Sequence, residues 1–302
     1  AIEAYQKYFA AGEYDVEDLT LYAAALYFTK QYDQSKQLLG EGMAKDPNNF
    51  VLNRLLMYSY ADADDFEKGL AAAEKFFSLD KGKREYLAQD FIYYGELLSE
   101  NGQTEKALEQ YKKAIEIDPA KVELYKEVST ICSNSNDFIA AAQFLEKYIE
   151  LIGENAQATD YFELGRLYYR AGTATIKENK EEGSKLLLSA DKAFEKVTEQ
   201  APNSYLGYLW RGHANASLDP ETEQGLAKPY YEKVAQIIEE KADGSNTKEL
   251  LDSYRYLSYY HYLKFYADKS ATEKAKVKEY GEKMLKIDPT NDAAKQLLDA
   301  VK

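Results

Sequence analysis

Two histidines, His213 and His261, and one cysteine, Cys132, are the only imidazoles and the only thiol in the chain. A zinc site draws three or four ligands from such side chains at short, repeated spacings. These three are scattered, so no metal or other cofactor is expected. Cys132 has no histidine near it in sequence to draw off its proton, which makes it a small packed hydrophobe rather than a nucleophile. The chain holds 52 carboxylates, so acidic pairs arise everywhere and none stands out as an acid–base couple. Phosphate-cradling, dinucleotide, nucleophile-elbow and His-Glu-x-x-His motifs are all absent. The chain is therefore expected not to be an enzyme. What remains is contact chemistry: 28 tyrosines, one tryptophan, Trp210, and a few arginines set among them. Tyrosine, tryptophan and arginine dominate binding hot spots, offering wide rigid faces and fork-shaped donors. The candidates are Arg54, Tyr58, Tyr93, Phe162, Arg166, Tyr169, Arg170, Trp210, His213, Arg255, Tyr256 and Tyr259. With so many tyrosines, part of this set must fill core.

The balance of charge narrows the partner. A formal charge of −14 over 302 residues, with no basic run, disfavours nucleic acid, whose recognition needs cations to displace counterions from phosphate. No uncharged apolar stretch of membrane-spanning length exists. Only six prolines occur, which suits long helices.

The elements that would position the candidates follow from an internal period. Segments ending in Asp-Pro recur at Met43–Pro47, Ala114–Pro119 and Met284–Pro289, and Ala190-x-x-x-Phe194 leads to Pro202 in the same way. Counting back from Pro119, Ala114, Tyr111 and Ala107 precede it, then Leu98, Gly95, Tyr94 and Phe91. This spacing resembles the tetratricopeptide repeat (TPR), a helix pair of about 34 residues. The frame continues through Leu19, Tyr22, Ala23, Leu26, Ser35, Leu39 and Gly42, through Gly69, Ala73 and Phe76, and through Tyr125, Val128, Cys132, Ala141, Leu145 and Tyr148.

The resemblance implies an all-α, right-handed solenoid of stacked antiparallel helix pairs, one array over residues 1–302. Its expected parts are a half repeat at 1–15, repeats at 16–49, 50–83, 88–121, 122–155, 158–204, 205–241 and 251–291, and a capping helix at 292–302. Ala1, Tyr5 and Tyr8 fall on helix-B positions, so the pattern enters mid-repeat, as expected of a fragment or a processed product. The second half departs from strict period. Ala190 stands 13 residues later than the frame requires, and the surplus, which includes Ile176–Gly183, is expected to be irregular and loop-bearing. Three extra residues lie near Asp219-Pro220, a polar break at Asp243–Asn246, and seven extra around Asp268–Thr272. Small residues, Gly95 and Gly165 on helix A and Ala107, Ala141, Ala190 and Ala227 on helix B, are expected where the two helices cross.

In such an array the first helix of each pair lines the concave groove, and the candidate residues above occupy those groove positions. The resemblance thus implies a scaffold that holds a protein or peptide partner. Family members that grip chaperone tails use basic and amide side chains at five slots. Here the slots hold Arg54, Tyr58, Tyr93, Glu123 and Glu127, or Phe162, Arg166, Trp210, Asp252 and Tyr256, and the acidic residues would repel a carboxylate. A glycan or small-ligand receptor built on the C-terminal aromatic and arginine residues is the alternative. The acidic, cysteine-poor, tyrosine-rich composition leans towards a bacterial cell envelope, periplasmic or surface-associated.

Overall fold

A computed structural model describes residues 2–12, 14–241 and 244–302. Ala1 and Asp243, which figured in the repeat reading, lie outside the described residues. The fold is all-α, with no strand among the described residues, and divides into two compact units, residues 1–131 and 132–302.

The first unit holds α1 (Ile2–Ala10), α2 (Val16–Phe28), α3 (Tyr32–Lys45), α4 (Phe50–Ala61), α5 (Phe66–Ser78), α6 (Ala88–Glu100) and α7 (Thr104–Ile117). The division between units falls inside α8 (Val122–Asn134). Each helix packs on the next, and α2, α4 and α6 also touch in series. Connections of a few residues force neighbours to run antiparallel. Asp15 starts α2 by accepting the Glu17 and Asp18 amides, and Asn49 starts α4 by accepting those of Val51 and Leu52. Such caps satisfy amides that have no partner within the helix.

The second unit holds α9 (Phe138–Ile152), α10 (Ala158–Thr175), α11 (Lys180–Gln200), α12 (Tyr205–Leu218), α13 (Lys228–Lys241), α14 (Thr247–Asp268), α15 (Ala271–Ile287) and α16 (Asp292–Ala300). Here too each helix packs on the next, and α10 meets α12 as α14 meets α16.

The small residues sit where the helices meet. Ser35, Ala73, Ala107, Ala141, Ala190 and Ala227 are fully buried. A Cβ on Gly95 would lie 2.7 Å from the Tyr111 ring, and one on Gly165 would lie 2.5 Å from the Phe194 ring. The aromatic ring of helix B therefore occupies the space that the helix-A glycine leaves empty. Cys132 is buried.

The surplus residues of the second half do not form the irregular loops expected. They lengthen helices instead: α10 runs 18 residues, α11 21 and α14 22. The reason lies in the surplus sequence, which keeps apolar residues one helical turn apart. Leu186 and Leu187 are buried and continue the packed face of α11 beyond the frame. Among the described residues, short turns remain at 176–179 and 244–246, and Asp219–Ala227 stays irregular. There the buried Asp219 carboxylate accepts the amides of Gln224, Gly225 and Leu226, and Gly225 takes φ +73° with the Tyr260 ring against it. A side chain there would meet both strain and a clash.

Candidate functional site

The candidates of the first unit are held among themselves. Arg54 on α4 donates to Asp90 on α6 at 2.8 Å and to the Glu85 carbonyl at 3.0 Å. Its guanidinium also lies over the Phe50 and Phe76 rings. Tyr58, one turn along α4, donates to the other Asp90 oxygen at 2.6 Å, and its ring packs 4.4 Å from that of Tyr93. Burial pushes the Tyr58 phenol up, and the Asp90 carboxylate pushes it further. Tyr93 and Tyr27 both donate to Asp62, with their hydroxyls 2.9 Å apart. Arg54 and Tyr58 were expected to face a partner. The structure engages them with Asp90, a full period further along the chain, and so makes them clamps between neighbouring helix pairs. The signal for Asp90 was its place three residues beyond Leu87, the residue that caps α6, which is the spacing of a capping box. Its carboxylate also accepts the Leu87 amide at 2.7 Å.

Beside this cluster, Glu96 is half-buried, and burial raises its carboxyl above the usual range. The carboxylates of Glu127, Asp62, Glu100 and Asp64 add to the shift.

The second unit brings its candidates together along a chain of rings. Phe162 and Tyr169 on α10 meet the Trp210 ring on α12 edge to face, at 5.9 and 5.4 Å. Trp210 meets His213 at 5.4 Å, His213 meets Tyr231 on α13 at 6.3 Å, and Tyr231 meets Tyr256 on α14 at 4.8 Å. Offset and edge-on arrangements of this kind are the favoured ones. Arg166 is exposed, with its guanidinium 5.8 Å from the Trp210 ring, while that of Arg170 lies 3.8 Å from the Phe138 ring. Burial lowers the pKa of His213, and the charge of Asp252 opposes that shift.

The chain of rings ends at a cavity of about 720 Å³ that contains Arg255, Tyr256 and Tyr259 in its lining. Its wall also takes Ala216 from α12, Pro220 and Thr222 from the loop that Asp219 organises, Tyr231, Asp252 and Tyr262, and α16 through Ala293, Gln296, Leu297 and Ala300. Tyr231 was not among the candidates and α16 was expected only to cap the array, so the sequence reading missed their part in this wall. Nothing in a repeat frame signals that a terminal helix closes a cavity. Elsewhere on α12, Arg211 forms a fork with Asp191 at 2.9 and 3.0 Å, and Asn215 donates to the same carboxylate. That network ties α12 to α11 and holds the Trp210 helix in place. No group of histidine, cysteine and carboxylate side chains suited to a metal occurs among the described residues. No described helix is long and apolar enough to cross a membrane.

A family model described as "TPR repeat" matches residues 95–127. The C-terminal part of a TPR repeat-containing protein from Cytophaga hutchinsonii is similar in structure, with TM-score 0.51 and 29% identity, covering 92% of this chain and 99% of that one. Stress-induced-phosphoprotein 1 of Caenorhabditis elegans is 33% identical over 109 residues, 36% of this chain and 28% of that protein. Protein O-mannosyl-transferase TMTC1 of Mus musculus is 21% identical over 133 residues, 44% of this chain and 14% of that protein. The chain thus spans little more than a quarter of the curated relatives it matches, or less. Repeat folds of this kind typically mediate protein–protein contacts and are generally non-catalytic. With paired helices throughout both units, small residues at their crossings, a family model matching residues 95–127 and a similar solved structure, the chain has the all-α fold of tetratricopeptide-repeat proteins.

Proposed function

We propose that this protein is a non-catalytic scaffold that holds a segment of a partner protein on the face formed by α10, α12 and α14 of the second unit. One observation carries the reading: the ring chain from Phe162 through Trp210 and His213 to Tyr256, flanked by the exposed Arg166 and ending in a cavity. Rigid aromatic faces bury wide area at small cost in side-chain entropy, and arginine beside them adds directional donors. The first unit supports a different part, because its Arg54, Tyr58 and Tyr93 are already engaged.

The test is capture of partners from native lysate by the full chain, read by mass spectrometry, against the double variant Trp210→Ala with Arg166→Ala. Far-UV circular dichroism establishes that the variant keeps its helix content. Loss of the captured partner is the expected outcome. An unchanged partner set would place the binding surface elsewhere.

A further inference from the structure

We propose that the cavity between α12, α14 and α16 receives a lysine or arginine side chain of the partner segment. This rests on the scaffold reading of the second unit and adds the chemistry of one anchor residue.

Three features choose a cation over other occupants. The first is the aromatic lining. Tyr231, Tyr256, Tyr259 and Tyr262 all contribute to the wall, the first two with centroids 4.8 Å apart and the last two 6.4 Å apart with planes 29° from parallel. Aromatic faces attract ammonium and guanidinium groups through the ring quadrupole, and sets of such rings form cages for them.

The second is charge. Asp252 and Arg255 are the charged residues of the lining, and they pair with each other at 3.1 Å, the arginine side chain 64% exposed and the aspartate 35%. The pair neutralises both groups, so the lining offers no unpaired cation to an anion, while the chain as a whole, at −14, favours a basic partner. Burial raises the Tyr231 phenol, and the Asp252 carboxylate raises it further. After burial, the Asp219 carboxylate is the leading charge that raises Tyr256. The Arg255 charge opposes the first shift, and burial keeps both phenols neutral.

The third is helix orientation. Ala216 lies in the last turn of α12, and Ala300 is the last residue of α16. The C-terminal turn of α12 therefore lines the cavity, while α16 flanks it along its length from Ala293 to Ala300. A helix C-terminal turn such as that of α12 carries partial negative charge and favours cations. A volume of about 720 Å³ admits a long side chain with the backbone that carries it.

The probe is a fluorescein-labelled octapeptide of alternating alanine and lysine, titrated against the full chain by fluorescence anisotropy at physiological salt. Octapeptides with glutamate or leucine in place of lysine are the comparators. The key variant is Tyr259→Leu with Tyr262→Leu, which keeps every charge and most apolar area but removes two ring faces. The lysine peptide should bind more tightly than either comparator and weaken about tenfold on the double variant, a change of about 1.4 kcal/mol. Asp252→Asn should weaken it as well. Equal binding to the tyrosine variant would mean generic attraction to an acidic surface and would overturn the inference. Tighter binding of the leucine or glutamate peptide would overturn it too. If the lysine result fails while Trp210→Ala with Arg166→Ala still abolishes partner capture, the scaffold reading stands and only the cationic anchor falls.

Discussion

Replacing Asp90 by alanine should destabilise the first unit by about 3–5 kcal/mol. The side chain is 0% exposed, and that of its partner Arg54 is 17% exposed. The carboxylate accepts from Tyr58 at 2.6 Å, Leu87 N at 2.7 Å and Arg54 at 2.8 Å. Alanine leaves the guanidinium with one carbonyl, that of Glu85, and with ring faces, and it strips the Tyr58 hydroxyl of its acceptor. Removing one member of a buried pair leaves an uncompensated charge, which is far costlier than losing an exposed pair. Urea denaturation followed by far-UV circular dichroism measures the loss. A second variant isolates its origin: Arg54→Met combined with Asp90→Leu removes both charges and should regain most of the stability, since apolar replacements of buried pairs are often neutral. A loss under about 1 kcal/mol for Asp90→Ala would place the pair in the range of solvent-screened surface bridges and refute its role as a clamp.

Two further outcomes follow from the same geometry. The Glu96 carboxyl is raised by burial and by the carboxylates around it, so its ionised form is disfavoured in the folded state. Glu96→Gln should therefore raise the melting temperature at pH 7. That advantage should shrink as pH falls from the raised value through about 4.3, where the unfolded chain protonates; a constant advantage down to pH 3 would contradict it. Asp219→Ala should free the three amides that its carboxylate holds and speed hydrogen exchange across residues 220–226, while α14 keeps its protection. Unchanged exchange in the loop would show that its shape does not depend on that carboxylate.

The register of small side chains was legible because a helix crossing tolerates little else. Ala107, Ala141, Ala190 and Ala227 are all fully buried, and their spacing alone located them. The partners of the polar groove residues were not legible. A repeat frame places Arg54 and Tyr58 on a helix face but says nothing of which residue one repeat later will meet them, and Asp90 read as an ordinary acid in an acidic chain. The rings of the second unit fared better, since Trp210, His213 and Tyr256 meet through Tyr231. The surplus around 176–183 misled because its charged residues, Lys177 through Glu182, read as loop. A helix surface facing water has the same composition, and the apolar stripe that betrays it begins only at Leu186.

That lengthened hairpin has an architectural consequence. At its far end a Cβ on Gly183 would lie 2.3 Å from the Ile176 backbone, and one on Gly172 would lie 3.0 Å from the Leu187 amide, so the two rods press main chain to main chain where a floppy insert would splay. At about 1.5 Å per residue, the 21 residues of α11 form a strut about 31 Å long. A tip braced in this way moves with its base. Segments of other proteins spliced between Lys177 and Asn179 would be carried on a firm mast, leaving the rest of the second unit undisturbed beneath them.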